Sequence, residues 1–303
     1  MSMSSNSYKI CTIIVSWNFE KWLKPCLNSL RNAALQSTVL VIDNHSTDKT
    51  CAIIKADYPE IILIENNKNL GFGKANNIGL RYAVENNYDF VFLLNQDAWI
   101  ETDTLDKLIG AAVKYPQLGI ISPLHLNGSG KELDFGFSTY SGLKTKAEAT
   151  NISEEIVTCK FINAAFWLLP VSVIKKIGGF APIFPHYGED VNYAQRVRFH
   201  QLKIGFVPDA LAYHDRESRT VGRKQFFYSE QIYFLTEAVN IHYPLWKAFG
   251  YSVVAAIKKS IAALFQGKLN DFWEYLRITF KVVGKSSLIA TTRKKTKQRP
   301  SYL

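Results

Sequence analysis

Over the first 120 positions, short runs of β-branched and other apolar residues alternate with longer stretches whose apolar positions recur every three or four residues. The apolar runs predict strands over 10–16, 39–42, 61–65, 90–94 and 120–122. The periodic stretches predict helices over 22–34, 47–57, 74–86 and 102–115, with Asp103 as a cap for the last. Strand–helix alternation of this kind builds an α/β fold around a mostly parallel sheet, and the unbroken Ile, Val and Leu of the runs call for helices on both faces.

From 123 to about 156 the pattern dissolves into Gly, Ser, Asn and Thr with scattered aromatics, as in an irregular insertion or hairpin. Order returns over 158–169, followed by helices near 171–177 and 191–201 and a short strand over 204–207. The last 80 residues are aromatic-rich, basic and helical in period. Over 245–265, Trp246, Phe249, Val253, Ile257, Ile261 and Leu264 follow a three-or-four spacing that reads as an amphipathic helix. The stretch 293–299 has five basic residues in seven and no apolar one, and is expected to be frayed or lipid-associated.

The chain has 303 residues, 47% of them apolar and 20% charged, which suits one large domain with an appendage and excludes long disorder. Its net charge of +10 is unevenly spread. Residues 1–222 hold 22 basic and 22 acidic residues, leaving 14 basic and 4 acidic for 223–303. The tail is therefore expected to meet something anionic, and without a recognisable nucleic-acid module the expected partner is a membrane surface. Cys11, Cys26, Cys51 and Cys159 show no paired spacing, Met1 to Ser7 is polar and small, and no uninterrupted run of 18 or more apolar residues occurs. Reduced thiols, no leader, no spanning helix and a cytoplasmic protein are the expectations.

In an open α/β sheet, ligands bind beyond the carboxyl ends of the strands. Four polar loops fall there: Trp17-Asn18 after Ser16; Asp43-Asn44 running to Asp48; Gly71-Phe72-Gly73 running to Asn76 and Asn77; and Asn95-Gln96-Asp97. Each alone has an ordinary explanation as an Asx turn, a cap or a tight turn. Four on one edge of one sheet make a crevice. Gly71 and Gly73 invite a nicotinamide-dependent dehydrogenase reading, but the third glycine of GxGxxG would fall at Asn76, and the loop follows the third strand rather than the first.

A second cluster holds Glu189 and Asp190 before a helix, with Arg196 six residues beyond Asp190 and His214 after the strand over 204–207. Adjacent carboxylates can simply complement a helix dipole, or an Arg can tune one of them into a general base. His214 with Asp97 would offer an imidazole and a carboxylate to a divalent cation.

The ordered segments TIIVSWN, VIDNHSTDKT, NNKNLGFGKANNIGL, FVFLLNQDAWI and HYGEDVNYAQRVRFHQLKIGFVPDALAYH resemble the inverting family 2 glycosyltransferases of the GT-A fold, over about residues 9–220. The similarity is greatest to bacterial rhamnosyl- and galactofuranosyltransferases of surface polysaccharide assembly. The resemblance implies a catalytic domain over 1–222, with a nucleotide-sugar half at about 9–122 and an acceptor half at about 156–222; the charge and period of the remainder make 223–303 a helical, basic, membrane-associating extension. The resemblance also implies that Asp43 reads the base, while Ser16, Asn18, Asn44, Gly71, Gly73, Asn76, Asn77 and Asn95 line the nucleotide-sugar pocket. Asp97 and His214 would hold Mg²⁺ or Mn²⁺ on the diphosphate, with Asp190, or alternatively Glu189, as the base. The family's DxD is here Asn95-Gln96-Asp97, and its paired acid after the second strand is Asp43-Asn44. Weaker metal affinity is expected from the missing carboxylate, and an inactive pseudoenzyme or membrane adaptor is the rival it opens. Implied partners are a nucleotide-diphosphate sugar, a glycan or lipid-linked acceptor and an anionic inner membrane face, with a homo-oligomer left open.

Overall fold

A computed structural model describes residues 8–216, 222–297 and 301–303. Met1 to Ser7, expected to be no leader, and 298–300, the end of the basic stretch, lie outside the described residues. The first half runs β1 (Ile10–Ser16), α1 (Leu23–Arg31), β2 (Thr38–Asp43), α2 (Thr50–Asp57), β3 (Ile62–Glu65), α3 (Phe72–Glu85), β4 (Phe90–Asn95), β5 (Ala98–Ile100) and α4 (Thr104–Lys114). There follow β6 (Leu118–Asn127), α5 (Phe135–Ser141), α6 (Lys146–Thr150), β7 (Val157–Cys159), β8 (Phe166–Pro170), α7 (Val171–Ile177), α8 (Glu189–Phe199) and β9 (Lys203–His214). Four helices end the chain: α9 (Arg223–Val239), α10 (Leu245–Phe265), α11 (Leu269–Gly284) and α12 (Ser286–Lys297).

The nine strands form one sheet in the order β3-β2-β1-β4-β8-β6-β9-β5, with β7 also paired to β9. β3, β2, β1 and β4 are parallel; β8 runs antiparallel to β4 and β6, and β9 runs parallel to β6. One apolar cluster joins α1 and α4 to one face, around Phe19, Phe92 and Phe166, and a second joins α3, α7 and α8 to the other, around Trp167, Phe180 and Tyr193. Both faces are thus covered, as the unbroken apolar runs require. All four cysteines are free, and Cys11 is a core residue of β1.

Two strands are longer than their sequence suggests, for one shared reason. Pro123 lies inside β6 and Pro208 inside β9, and a proline within an apolar run reads as a strand end. The two strands pair with each other, and their register slips between Pro123 and Leu124, so that Val207 and Leu211 face successive residues of β6. A bulge needs no ladder hydrogen bond from the proline. Asp103 occupies the cap position of α4 without a side-chain capping bond and pairs instead with Lys107 at 2.8 Å.

The helices α9 to α12 share a third apolar cluster with Ala181, Ile183 and Phe184 of the body. The expectation that the basic stretch from Arg293 is unpacked fails within the described residues. Thr292, Arg293 and Thr296 are buried, and the Arg293 guanidinium donates to the carbonyls of Ala238, Asn240 and Tyr243, so three backbone acceptors compensate its burial. Ser301 then returns to the body, where its carbonyl accepts the Gly179 N–H at 2.7 Å. α10 is also long and apolar enough, by length and composition, to cross a membrane, a length the broken apolar run conceals.

Candidate active site

The parallel strands deliver their loops to one edge, and hydrogen bonds staple those loops together. Ser16 and Asp43 end neighbouring strands, and the Ser16 hydroxyl donates to Asp43 Oδ1 at 2.9 Å. Asp43 also accepts the Ser46 N–H at 2.8 Å and the Ser46 hydroxyl, and is 2% exposed. Asn18, in the left-handed region at φ 52°, donates its N–H to Ser46 Oγ at 2.8 Å and accepts the Thr47 N–H at 2.9 Å. Gln96 clasps the backbone of Trp17 through both its amide atoms, at 2.8 and 3.3 Å. The first, second and fourth loops are therefore one rigid unit.

Asn44 ties in the third loop, accepting from Asn66 at 3.1 Å and from the Leu70 N–H at 3.3 Å. Gly71 stands at φ 79°, and a Cβ there would come within 2.3 Å of the Pro185 carbonyl. This glycine lets the loop approach the segment that leads to Glu189. A Cβ on Gly73 would meet Phe180 Cβ at 3.1 Å and Glu189 Cβ at 3.4 Å. Asn76 and Asn77 are buried. The Asn76 amide donates to the Phe72 carbonyl at 3.1 Å, and Asn77 exchanges two bonds with the Phe180 backbone, at 2.7 and 2.9 Å. Both amides thus brace the wall behind the loop.

Asp97 and His214 meet although they are far apart in the sequence, because β5 pairs antiparallel with β9 and sets Ala98 opposite His214. His214 Nε2 is 3.2 Å from Asp97 Oδ1 and 3.4 Å from Asn95 Nδ2. Behind the ring, Nδ1 accepts the Arg216 Nε–H at 3.2 Å, and Asp134 Oδ2 stands 3.6 Å from Nδ1 and 3.4 Å from the Arg216 Nε. Burial pushes the Asp97 carboxyl up, but the His214 hydrogen bond and charge, helped by Arg216, leave it below the ordinary range. Asp134 and Arg216 carry no motif that singles them out. Asp134 signals only a helix cap, which it also is, accepting the Phe137 N–H at 2.9 Å.

Among the described residues, no three His, Cys, Asp or Glu side chains gather to hold a metal ion. The pair Asp97–His214 nevertheless fits a divalent cation that draws its other ligands from substrate. Two neighbouring donors on a small octahedral ion, each about 2.1 Å from it, stand about 3 Å apart, close to the 3.2 Å observed. A carboxylate behind the imidazole, as Asp134 is, orients a metal-binding histidine.

Glu189 and Asp190 open α8 after Gly188, whose φ is 85° and whose missing Cβ leaves room for Ile232 and Thr236 of α9. Burial and then the Asp190 charge push the Glu189 carboxyl up from an ordinary 4.5 to about 7. Its Oε2 is buried with no hydrogen-bond partner among the described residues. Asp190 is only partly buried, and its Oδ1 accepts the Val191 N–H at 2.8 Å. Burial raises this carboxyl too, opposed by hydrogen bonds from Val191 and Ala164 and by the charge of Arg216. The expected tuning by Arg196 is not found. Arg196 lies fully buried on the far side of α8, donating to the Gly179 carbonyl at 2.7 Å and to that of Ile177, because six residues turn a helix through well over one revolution.

The raised carboxyl has a consequence for stability. An acid whose pKa rises on folding contributes its full stability below the unfolded value and loses it as the pH climbs to the folded one. Relative to Glu189→Gln, the native chain should lose on the order of 3 kcal/mol between pH 4.5 and 7. Urea denaturation of both proteins at pH 5 and pH 8 checks this; an equal stability gap at the two pH values refutes it.

Residues 11–178 match the sequence profile described as Glycosyl transferase family 2. An N-acetylglucosaminyl-diphospho-decaprenol L-rhamnosyltransferase of Mycobacterium tuberculosis is 24% identical over 210 residues, covering 60% of this chain and 68% of that enzyme. Other curated relatives match in part: the chain spans 15% to 23% of the length of three bacterial and phage glycosyltransferases that are 31% to 33% identical to it. The Staphylococcus aureus TarS fragment in complex with UDP-GlcNAc shares the fold with a TM-score of 0.57 and 14% identity, over 95% of this chain and 88% of that one. The mannosyltransferase PcManGT of Pyrobaculum calidifontis, in complex with GDP-Man and Mn²⁺, does so with a TM-score of 0.55 and 16% identity, over 95% and 84%. A match over more than half its length, a largely parallel sheet of this topology and polar loops gathered on one edge place the chain in the family 2 glycosyltransferases, on the GT-A fold.

Proposed function

We propose that the chain transfers a sugar, with inversion, from a nucleotide-diphosphate donor to a hydroxyl of a lipid-linked or growing glycan at the inner face of the cell membrane. One observation carries this reading: Arg216, which bonds His214 Nδ1 at 3.2 Å and reaches Asp134 at 3.4 Å, lies close enough for its charge to act on both Asp97 and Asp190. A cation-and-diphosphate site and a basic carboxylate then flank one space, as an in-line displacement needs.

In this scheme the stapled loops of Ser16, Asn18, Asn44 and Gly71 frame the nucleotide. Asp43 reads the base by exchanging one of its internal bonds. Bound divalent metal would neutralise charge on the departing diphosphate. Asp190 accepts the proton of the acceptor hydroxyl as its oxygen bonds to the anomeric carbon and the bond to the diphosphate breaks, so the new linkage forms on the opposite face. Asp190 suits the role better than Glu189, because it is partly open and within reach of the Arg216 field, whereas Glu189 is buried against Gly73 and within the influence of Tyr228. Thermal shift with uridine-, thymidine- and guanosine-diphosphate sugars, with and without Mn²⁺, should pick out one base and show a metal-dependent gain. The product's anomeric configuration by NMR should be inverted; retention, or no donor raising the melting temperature, refutes the reading.

A further inference from the structure

Of the terminal helices, α10 is packed with its small residues inward. On α10 the buried face is Ala248, Ser252, Ala256, Ser260 and Ala263, fixed by Ser252 donating to the Phe234 carbonyl at 2.7 Å and Ser260 to that of Phe272 at 3.0 Å. The large apolar side chains point out: Trp246 is 76% exposed and Phe265 87%, with Ile257, Ile261 and Leu264 along the same stripe. α11 folds back along α10 and buries Tyr275, Ile278 and Val282, yet it too leaves large apolar side chains outside, Trp273 at 62% and Phe280 at 67% exposed. The hairpin tip adds Leu269 beside Phe265. Exposed Lys258 flanks the first stripe, and exposed Arg277 and Lys281 flank the second. An outward row of large apolar residues edged by lysine and arginine suits the boundary between lipid headgroups and acyl chains.

We infer that this face of the α10–α11 hairpin lies in the interfacial layer of an anionic phospholipid membrane. The charge identifies the occupant, since 223–303 carries 14 basic residues against 4 acidic ones and holds the whole net charge of the chain. An equally apolar surface of a second copy would bring two such basic segments together. The inference rests on the proposed function only for its purpose, which is to bring the enzyme to a lipid-borne acceptor. α9 connects the two, packing on α10 and α11 and, through Ile232 and Thr236, on Gly188 beside the acid pair.

Flotation of the full chain with vesicles tests the inference. The protein should float with phosphatidylcholine–phosphatidylglycerol vesicles and not with phosphatidylcholine alone, and high salt should release part of it. Phe265→Glu/Trp273→Glu should lower the bound fraction at least about tenfold, with the melting temperature and donor hydrolysis unchanged because both side chains are exposed. Lys258→Glu/Lys281→Glu, a change of charge alone, should weaken binding mainly at low salt. The inference is overturned if the native chain stays with the soluble fraction, if both variants float as it does, or if the native chain ignores vesicles while the first pair converts a dimer to a monomer. Intact flotation with no transfer from any donor of the panel would instead count against the proposed reaction alone.

Discussion

Asp190→Asn should leave nucleotide-sugar binding nearly unchanged while turnover falls at least about 10²-fold, the lower range for loss of a general base. The asparagine keeps the size and can still accept the Val191 N–H at the first turn of α8, so the fold and donor pocket should survive. What goes is the ability to take a proton. Donor affinity by calorimetry and turnover by nucleoside-diphosphate release separate the two effects. Near-normal turnover in Asp190→Asn together with its abolition in Glu189→Gln would move the role to Glu189. Activity should also rise with pH as the Asp190 carboxyl loses its proton, with a midpoint above the ordinary carboxylate range because burial raises it.

Asp97→Ala and His214→Ala should each weaken Mn²⁺-supported donor binding by about 10²-fold or more, since residues merely behind a metal ligand are worth 10- to 100-fold in affinity. Asp134→Asn belongs to that second group. It keeps the helix cap in kind but removes the charge facing His214 Nδ1, so metal affinity should fall about 10- to 100-fold with little change in donor affinity measured without metal. Titration of Mn²⁺ against donor binding in the three variants resolves these effects. Equal activity in excess chelator and in Mn²⁺ would remove the cation from the scheme.

The four parallel strands β1 to β4 were readable almost to the residue because each is a plain apolar run that ends where a polar loop begins, as Ile10–Ser16 does, whereas the three-residue β5 was missed and β6 cut short. The pairing of Asp97 with His214 was legible only as chemistry, a carboxylate and an imidazole that could share a cation; the short β5 and the extension of β9 to His214 that bring them together were not. Arg196 was not legible either. Its spacing from Asp190 is near in sequence, but the helix turns it toward Gly179. Asp134 escaped notice because it lies in a stretch without periodicity, and nothing local reveals that its carboxylate faces a histidine on β9. The amphipathic period of the tail was legible, and its apolar stripe does lie largely outward. A three-or-four spacing of large apolar residues normally marks the buried face, yet α10 buries its alanines and serines and turns Trp246 and Phe265 outward.

The position of β9 also bears on how the chain is born. β6 sits between β8 and β9, and its first nine residues are all buried. Synthesis proceeds from the amino terminus, so β6 leaves the ribosome well before the partner that covers one of its edges. Until His214 has emerged, a long apolar strand has one side unpaired, the arrangement most open to pairing with a neighbouring chain. Asp97 is made early but meets its imidazole only when β9 closes that edge. Completion of the sheet and assembly of the proposed cation site are therefore one event, and a nascent chain too short to be safe from aggregation is also too short to complete that site.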